Sequence, residues 1–333
     1  MEKTYVIGID LGGTNTELGL VRSDGHIVAR TILSTAKYTD FPTFADDMVK
    51  AAGELCAAGD PETGWQGTVN DLKGFGIGAP NADPNRGCMV EPPNLKQFKG
   101  VSNFVEEFRR LGVTVPVAVD NDANAAAVGE MVYGGAQGMQ HFIMITLGTG
   151  VGSGIVVDGR LVHGSTGTAG ELGHNILIPN GRKCSCGRYG CLETYTSARG
   201  IVQTFIEVRR EMDTPADVDE HPGWIGSEVT DAEVHSITVG IASNAGDPRA
   251  IETFRRVGYW LGIACANAVT FSAPECIFLM GGPTKVGEPL LAPLRKSFEE
   301  HLLNIYQGSC RIEMSKLKTN EVAILGAAAL VNS

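Results

Sequence analysis

The sequence lacks an excess of positive charge and lacks any long apolar segment. Its 333 residues include 27 lysine and arginine side chains against 38 aspartate and glutamate side chains, which gives a formal net charge of −11. Because phosphate binding needs a basic face, this balance disfavours nucleic acid as the main partner. The apolar stretches around Ile143 and at 323–331 are interrupted or too short to span a bilayer, so we expect no membrane partner.

The chain also has no basic, apolar leader at its start. A strand-like segment at 5–9 follows Met1 almost directly, and a secretory signal peptide is therefore not expected. Eight cysteines without such a signal predict a reducing compartment and hence a cytoplasmic location. Hydrophobic residues at 43% and charged residues at 20% exclude a largely disordered chain, and the length predicts about two domains.

Two common phosphate-binding motifs are missing as well. The glycine turn at 10–14 is not the G-x-G-x-x-G motif, and no G-x-x-x-x-G-K-[ST] loop occurs in the chain. What the chain does contain is an internal similarity between 5–33 and a segment that starts at 142. Each reads as strand, glycine-rich turn, strand, Asp-Gly turn and strand. The repeat predicts a duplicated α/β fold of two lobes with a central cleft; a chance similarity of two glycine turns is the alternative.

Local patterns predict the remaining elements. The Asp-Gly pairs at 24–25 and 158–159 are typical of type I′ hairpin turns, in which both central residues have positive φ. Thr230 with Glu233 three residues later has the spacing of a capping box, which predicts a short helix beginning at Thr230. Apolar spacing predicts further helices and strands. The helices are expected at 44–55, 102–111, 193–212, 248–269 and 320–330, and the strands at 73–78 and 116–119.

The two glycine turns have the composition of phosphate-binding loops. Turns of this kind can aim consecutive backbone N–H groups at a phosphate with no Cβ in the way. Asp10 ends the first strand, where it would face a phosphate-bound Mg²⁺ ion, since Mg²⁺ prefers carboxylate and water oxygens. Thr14, Thr146 and Thr149 offer hydroxyl donors. A single glycine turn is usually only a tight turn, but two corresponding ones favour a nucleotide clamp.

A cluster of cysteines and one histidine has metal-ligand spacing. Cys184, Cys186 and Cys191 follow His174 closely, and three thiolates with one imidazole make the four ligands of a structural Cys3His zinc site. A disulfide would conflict with a reducing compartment and leave an odd thiol. Such a closed site is not itself catalytic, but it can hold neighbouring side chains in place and leaves one imidazole nitrogen for another ligand. The alternative for the glutamates near this cluster is that they have no binding role and are simply solvated.

A group of polar residues lies where a predicted strand meets an alanine-rich helix. Asp120, Asn121 and Asp122 occupy this junction, the place where α/β proteins put their binding sites. A carboxylate at a helix N-terminus is favoured in its ionised form and can act as a general base on a hydroxyl. Simple helix capping is the alternative.

These motifs together resemble the ROK sugar kinases, and among them most closely the bacterial glucokinases. The resemblance covers nearly the whole chain. It rests on Asp10-Leu-Gly-Gly-Thr14, Asn121-Asp122-Ala-Asn124, Leu147-Gly-Thr-Gly150, Glu171-Leu-Gly-His174, the cysteine cluster at 184–191 and Gly281-Gly282. It implies the actin-like, ribonuclease H-like ATPase fold. It further implies a small lobe of residues 1–120 plus 318–333 and a large lobe of residues 121–317.

The resemblance also implies site residues, position by position. Asp122 resembles the base that takes the proton from the sugar hydroxyl. The positions that resemble sugar contacts are Gly78, Asn121, Asp122, Glu171, His174 and Glu193. The positions that resemble nucleotide contacts are Asp10, Gly12, Gly13, Thr14, Asn15, Thr146, Gly148, Thr149, Gly150, Gly281 and Gly282. The positions that match zinc ligands are His174, Cys184, Cys186 and Cys191.

By the same resemblance, the expected activity is ATP-dependent phosphorylation of a hexose at its primary hydroxyl, with glucose as the first candidate. ATP, Mg²⁺ and a structural Zn²⁺ are the implied cofactors, and a homodimer is expected. An N-acetylmannosamine, N-acetylglucosamine or fructose kinase is the alternative, and Asn81 departs from several subfamilies at the pocket loop. The family also includes sugar-responsive repressors with an N-terminal helix-turn-helix domain. Only nine residues precede Asp10, so such a domain is not expected.

Overall fold

The computed structural model describes residues 4–92 and 95–332. Residues 1–3, which belong to the segment on which the expectation of no signal peptide rests, lie outside this part. The chain forms two compact units: the first contains Met1–Gln140, Gly154–Ala169 and Ser315–Ser333, and the second contains His141–Ser153 and Gly170–Met314. Within the described residues, no helix combines the length and apolar character needed to cross a bilayer.

The elements follow the predicted alternation of strands and helices. The strands are β1 (Tyr5–Leu11), β2 (Asn15–Arg22), β3 (Ile27–Ser34), β4 (Gly74–Gly78), β5 (Ala82–Asp83), β6 (Cys88–Val90), β7 (Val101–Asn103), β8 (Val117–Asp120), β9 (Phe142–Leu147), β10 (Val151–Val157), β11 (Arg160–Leu161), β12 (Cys276–Gly281) and β13 (Arg311–Met314). The helices are α1 (Phe41–Ala58), α2 (Phe104–Arg110), α3 (Asp122–Tyr133), α4 (Glu193–Thr196), α5 (Ala198–Glu211), α6 (Ser236–Asn244), α7 (Pro248–Ser272), α8 (Glu288–His301) and α9 (Val322–Ala329).

Two five-stranded sheets share one construction. Their strand orders are β3-β2-β1-β4-β8 and β11-β10-β9-β12-β13. In the first sheet β1 is antiparallel to β2 and parallel to β4, which is parallel to β8. In the second sheet β12 is parallel to both β9 and β13. Each sheet therefore extends a strand-turn-strand unit by two parallel strands in corresponding order, and the predicted duplicated α/β fold is confirmed.

The two Asp-Gly turns differ from each other. Asp158 and Gly159 both have positive φ, 51° and 68°, in a two-residue loop, as a type I′ turn requires. The same prediction is wrong for the first copy. There the loop has four residues, and only Gly25 has positive φ. The carboxylate of Asp24 instead accepts hydrogen bonds from the Arg22 side chain at 2.9–3.0 Å, which holds the longer turn.

Glycines in the first sheet allow α9 to lie directly on it. A Cβ atom on Gly8 would lie 2.2 Å from the carbonyl oxygen of Ile324, and one on Gly76 would lie 1.8 Å from that of Ala327. No side chain can occupy such a gap, so these strand positions need glycine for close backbone approach. The apolar helix α9 is thereby buried against β1 and β4 of its own unit.

Helix α3 is held to α9 in the same way. A Cβ atom on Gly129 would lie 2.8 Å from the Cα atom of Gly326, so the two helices cross at small residues. This packing keeps α3 in the first unit. The compact units differ from the predicted lobes, which assigned 121–140, 154–169 and 315–317 to the large lobe.

Each unit has its own apolar core. In the first unit, aromatic rings from α1 and α2 pack beneath the sheet, with ring centroids of Phe41 and Phe104 4.9 Å apart and those of Phe75 and Phe108 5.2 Å apart. In the second unit, the core includes side chains of α5, α6, α7 and α8. Separate cores give each unit the burial needed to fold around its own part of the site.

Two predicted helices in the second unit have different bounds. The capping-box residues are paired, because the Glu233 carboxylate accepts a hydrogen bond from Thr230 N at 2.9 Å, but they close only a single 3-10 turn, and α6 begins at Ser236. The helix expected at 193–212 is interrupted at Ser197. The Ser197 hydroxyl accepts a hydrogen bond from the Gly200 N–H at 3.1 Å, which starts α5 as a separate helix.

Candidate active site

Three parallel strands bring predicted site residues to one edge of the first sheet. The register of β1, β4 and β8 aligns Asp10 with Gly78, and Gly78 with Asp120. Asp122 follows two residues beyond the end of β8. The carboxyl ends of parallel strands are where α/β proteins bind ligands. The structure therefore brings Asp10, Gly78 and Asp122 to the same edge.

The first glycine loop is an exposed, tight turn between β1 and β2. The Gly12 N–H donates to the carbonyl oxygen of Asn15 at 3.1 Å, and a Cβ atom on Gly12 would lie only 2.6 Å from that oxygen. The turn thus requires glycine at this position. Gly13, Thr14 and Asn15 are exposed, so the loop presents backbone and hydroxyl groups to solvent directly after Asp10.

Asp10 is a carboxylate under electrostatic stress. Burial, together with the nearby carboxylates of Asp122 and Glu17, raises its pKa to about 6. Glu17 lies directly opposite Asp10 in the β1–β2 ladder, where like charges are unfavourable. A divalent cation beside Asp10 would relieve both the burial and the repulsion, so this carboxylate fits the predicted role in holding Mg²⁺.

Asp122 opens helix α3. The side chain of Asn121 caps the helix by accepting a hydrogen bond from the Ala123 N–H at 2.9 Å, and Asp122 Oδ1 accepts from the same N–H at 2.8 Å. Because Asn121 already caps the helix, capping alone does not account for Asp122. Asp122 is exposed, yet the protein around it removes enough water to raise the pKa of its carboxyl above the usual range. Such a carboxylate can take up a proton.

A buried carboxylate lies directly behind this segment. Oδ1 of Asp120 accepts hydrogen bonds from the Asn121 N–H at 2.7 Å and from Asn124 Nδ2 at 2.8 Å. Its Oδ2 lies 2.6 Å from Nε2 of His163. From the sequence, Asp120 was identified only as part of the junction between strand and helix, and His163 was not identified. No local motif connects residues that are 43 positions apart.

The second glycine loop lies between β9 and β10. The Gly148 N–H donates to the carbonyl oxygen of Gly150 at 2.9 Å, and Gly148 and Thr149 are exposed. Thr146 is half-buried at the end of β9. The loop therefore repeats the exposed character of the first one, as the internal similarity predicts.

Gly281 lies beside this second loop. It ends β12, where its register partner is Leu147, and its φ is 114°. A Cβ atom there would lie 1.9 Å from the carbonyl oxygen of Leu147, so only glycine fits. Gly282 is exposed, and a Cβ on it would meet nothing within 4 Å. The Gly281-Gly282 pair thus leaves open space at Gly282, next to a loop of the same unit.

Three cysteines and one histidine form a compact cluster. Their ligand atoms all lie within 4.8 Å of one another. The Sγ atoms of Cys186 and Cys191 are 3.6 Å apart, and Cys184 Sγ lies 3.6 Å from Nδ1 of His174. A tetrahedral zinc ion would hold sulfur atoms about 3.8 Å apart and a sulfur and a nitrogen about 3.6 Å apart. The donor set and its dimensions fit a structural zinc.

The cluster is built by a short turn with glycines at fixed places. Gly190 has φ 81°, and a Cβ atom on it would lie 1.7 Å from the carbonyl oxygen of Ile178. Hydrogen bonds, the strongest of them from the backbone N–H of Arg188, lower the pKa of Cys186 to about 6, which favours the thiolate that a metal needs. Since Nδ1 of His174 faces Cys184, Nε2 is the nitrogen left for another ligand.

The glutamates predicted to contact sugar differ in their surroundings. Glu171 is exposed at the start of the 3-10 turn that carries His174. Glu193 is half-buried, and its Oε2 accepts a hydrogen bond from the Val151 N–H at 3.0 Å, while its Oε1 lies 4.0 Å from Cys184 Sγ. Glu193 therefore connects the cysteine cluster with the second glycine loop, a contact that the sequence did not predict.

The predicted residues fall into two groups, one in each compact unit. The first unit holds Asp10, Gly12, Gly13, Thr14, Asn15, Gly78, Asn121 and Asp122. The second unit holds Thr146, Gly148, Thr149, Gly150, Glu171, His174, Cys184, Cys186, Cys191, Glu193, Gly281 and Gly282. Every predicted site residue therefore lies within the described part of the chain.

Comparison with known proteins identifies the family. A model of the ROK family matches residues 6–333. The chain belongs to the ROK family. A glucokinase from Halalkalibacterium halodurans is 33% identical to this ROK chain over 338 residues, which cover 99% of the chain and 96% of the relative. An N-acetyl-D-glucosamine kinase from Photobacterium profundum is 29% identical over 310 residues, with 90% of the chain and 91% of the relative covered.

A solved structure agrees with the ROK assignment. The crystal structure of a ROK family glucokinase from Streptomyces griseus, in complex with glucose and AMPPNP, matches with a TM-score of 0.77 and 31% sequence identity. The match covers 98% of each chain. The predicted family and the predicted actin-like ATPase fold are confirmed.

Proposed function

We propose that this ROK chain is an ATP-dependent sugar kinase that phosphorylates a hexose at its primary hydroxyl, with glucose as the preferred substrate. The observation that carries the proposal is the exposed carboxylate of Asp122, with its raised pKa, at the sheet edge it shares with Asp10. The glucokinase relative and the Streptomyces griseus complex with glucose and AMPPNP support both substrates.

In this proposal Asp122 is the general base. A hydroxyl oxygen becomes a better nucleophile as its proton leaves, and a carboxylate whose pKa is raised by desolvation accepts that proton more readily than a fully hydrated one. Asn121 keeps the first turn of α3 capped, so the backbone that carries Asp122 is fixed. Positioning of this kind supplies much of the rate acceleration in phosphoryl transfer.

The nucleotide is held by the two glycine loops and by Asp10. The turns at 12–15 and 148–150 carry the exposed residues Gly13, Thr14 and Thr149, whose backbone N–H groups and threonine hydroxyls suit phosphate oxygens. Asp10 would hold Mg²⁺, which supplies charge neutralisation on the phosphates when bound. The close backbone contact at Gly281 and the open space at Gly282 suit the adenosine part of the nucleotide.

The sugar is bound by polar side chains from several elements. Glu171, His174 and Glu193 are assigned to its hydroxyl groups, together with Asn121 and the loop that begins at Gly78. Zinc on the cysteine cluster would fix the ring of His174 through Nδ1 and leave Nε2 to meet a sugar hydroxyl. The homodimer and the cytoplasmic location remain predictions.

The test is a coupled assay of ATP consumption over glucose, mannose, fructose, N-acetylglucosamine and N-acetylmannosamine. Asp122→Asn keeps the shape of the side chain but removes the base. We expect kcat to fall by roughly 100- to 10,000-fold while sugar binding, followed by calorimetry, stays measurable. Asp213→Asn, an exposed aspartate in a loop of the other unit, is the matched control and should keep full activity.

Two outcomes would contradict this assignment. Retained turnover in Asp122→Asn would remove Asp122 from the role of base. A preference for an N-acetylhexosamine over glucose would favour the second candidate, for which the Photobacterium profundum N-acetyl-D-glucosamine kinase is the supporting relative. Pocket groups that are left without a partner reject the wrong sugar strongly, so the panel should separate the two.

A further inference from the structure

The carboxylate of Asp120 organises the backbone on either side of Asp122. It is almost fully shielded, with a side-chain exposure of 5%. Its Oδ1 accepts hydrogen bonds from the N–H of Asn121 and from the side chain of Asn124 at 2.7 and 2.8 Å. One residue before Asp122 and one residue two positions after it are therefore tied to the same oxygen.

The other oxygen of this carboxylate is held by a residue distant in sequence. Nε2 of His163 lies 2.6 Å from Asp120 Oδ2, and the imidazole is 35% exposed. His163 begins the loop 163–169, which is closed by a hydrogen bond from the Ala169 N–H to the carbonyl oxygen of His163 at 3.1 Å. All these residues belong to the first unit.

We propose that His163 is a positioning residue for phosphoryl transfer, acting through Asp120 on the segment that carries Asp122. This inference rests on the proposed function. His163 donates to Oδ2 and thereby fixes the rotation of the Asp120 carboxyl group, which keeps Oδ1 directed at Asn121 and Asn124. Without that donor only the two bonds at Oδ1 orient the carboxylate, and the first turn of α3 is held less firmly.

A second His–Asp pair has the same contact geometry but lies outside the candidate site. Nε2 of His221 lies 2.6 Å from Asp217 Oδ2, the same atoms at the same distance. That pair spans only four residues and is 43% and 55% exposed. An exposed pair of this kind contributes little to stability. Removing a donor from the shielded Asp120 instead leaves a polar atom without its partner and disturbs the other bonds of that carboxylate.

The test compares variants that differ in whether they can reach Asp120. His163→Leu removes the donor, and His163→Gln places an amide N–H close to where Nε2 was. We expect His163→Leu to lower kcat roughly 10- to 100-fold, as small displacements of reacting groups do, with the KM values for sugar and ATP changed less than about threefold. His163→Gln should restore kcat to within about threefold of the wild type.

Two further variants separate positioning from general stability. His163→Asn is polar but one methylene too short to reach, so it should behave like His163→Leu and replaces it if the leucine variant does not fold. His221→Leu, the matched control, should leave kcat unchanged. Hydrogen exchange of a peptide covering 118–126 supplies a readout that needs no activity: it should be faster in His163→Leu and normal in His163→Gln.

The results that overturn the inference are distinct from those that overturn the proposed function. Unchanged kcat and unchanged exchange at 118–126 in His163→Leu would refute a positioning role, as would a glutamine variant no better than the asparagine variant. If the wild type phosphorylates none of the sugars, the proposed function fails. Exchange at 118–126 then decides by itself whether His163 orders this segment.

Discussion

The residues at the edge of the first sheet are arranged in a way that costs stability in the absence of ligand. Asp10 is half-buried and faces Glu17 across the β1–β2 ladder, with Asp122 also nearby. Like-charged groups that lose water raise each other's pKa because each ionised form is disfavoured. Groups of carboxylates that repel one another are common where a protein binds a cation, since the cation stabilises their ionised forms.

This arrangement gives a prediction for Asp10→Asn. The pKa of Asp10 is about 6 in the folded chain against a usual value of 3.8, so the folded state holds the proton more tightly than the unfolded state. Stability contributed at this residue is therefore lost as pH rises from about 4 to 6. In the absence of Mg²⁺ and nucleotide, Asp10→Asn should raise the free energy of unfolding at pH 7 by about 1–2 kcal/mol. Urea denaturation measures this.

The same variant should have the opposite effect on ligand binding. Asp10→Asn lacks the carboxylate that would hold Mg²⁺, so binding of magnesium–AMPPNP should weaken at pH 7. Glu17→Gln is the companion variant: it keeps Asp10 but removes one repelling charge, and it should lower the pH at which stability is lost. A stability gain in Asp10→Asn that is as large at pH 4 as at pH 7 would contradict this account.

At the scale of elements, the position of Asp122 depends on how α3 packs against α9. A Cβ atom on Gly326 would lie 2.7 Å from the carbonyl oxygen of Ala125 in α3. Because the obstacle is backbone, the helices must move apart to accept it. Gly326→Ala should therefore destabilise the chain by about 1–3 kcal/mol and also lower kcat, since α3 carries Asp122. Urea denaturation and the coupled assay measure the two effects.

A second glycine-to-alanine change supplies the control. Gly53 lies inside α1, and a Cβ atom on it would meet its nearest neighbour, a methyl group of Val69, only at 4.0 Å. Gly53→Ala should stabilise the chain by about 0.5–1 kcal/mol, since alanine is the better helix residue, and should leave kcat unchanged. If Gly326→Ala and Gly53→Ala changed stability and kcat equally, the packing of α3 against α9 would not explain the effect of Gly326→Ala.

Features that depend on a local sequence pattern could be predicted from the sequence. The glycine turns, the metal-ligand spacing of 174–191 and the strand end at Asp120 can each be read from neighbouring residues, and each lies in the structure where it was expected. The two-helix break at Ser197 was missed because the apolar spacing continues across it, while the Ser197 hydroxyl bonds to the Gly200 N–H and starts a new helix.

Contacts between segments that are distant in sequence could not be predicted, for a physical reason. The bond between His163 and Asp120 and the bond between Glu193 and the Val151 N–H join residues about 40 positions apart, and nothing in the local sequence encodes such pairings. The assignment of α3 to the first unit likewise depends on its crossing with α9, near the other end of the chain. Roles taken from the family resemblance stay predictions until variants are measured.

At the scale of the whole molecule, the cluster of His174, Cys184, Cys186 and Cys191 is connected to residues beyond its four candidate ligands. Glu193 lies between Cys184 and the Val151 N–H, so the cluster is connected to the second glycine loop within the same unit. The ligands span only 174–191 in sequence, and a bound metal would order this segment at the same time as it orders the loop. Loss of the metal should therefore destabilise the second unit and leave the core of the first unit intact.

We expect one zinc ion per wild-type chain, measured by elemental analysis, and its loss in Cys186→Ser, which alters an exposed ligand. Because metal binding adds to folding free energy, the midpoint of thermal unfolding should fall by roughly 5–10 °C. Hydrogen exchange should quicken at 172–196 and 148–151 but not at 5–22, which belongs to the other unit.

The control variant is Cys310→Ala, which alters a buried cysteine outside the cluster and should keep its zinc. Full zinc content in Cys186→Ser, or exchange that quickens equally in both units, would mean that the cluster does not organise the second unit in this way.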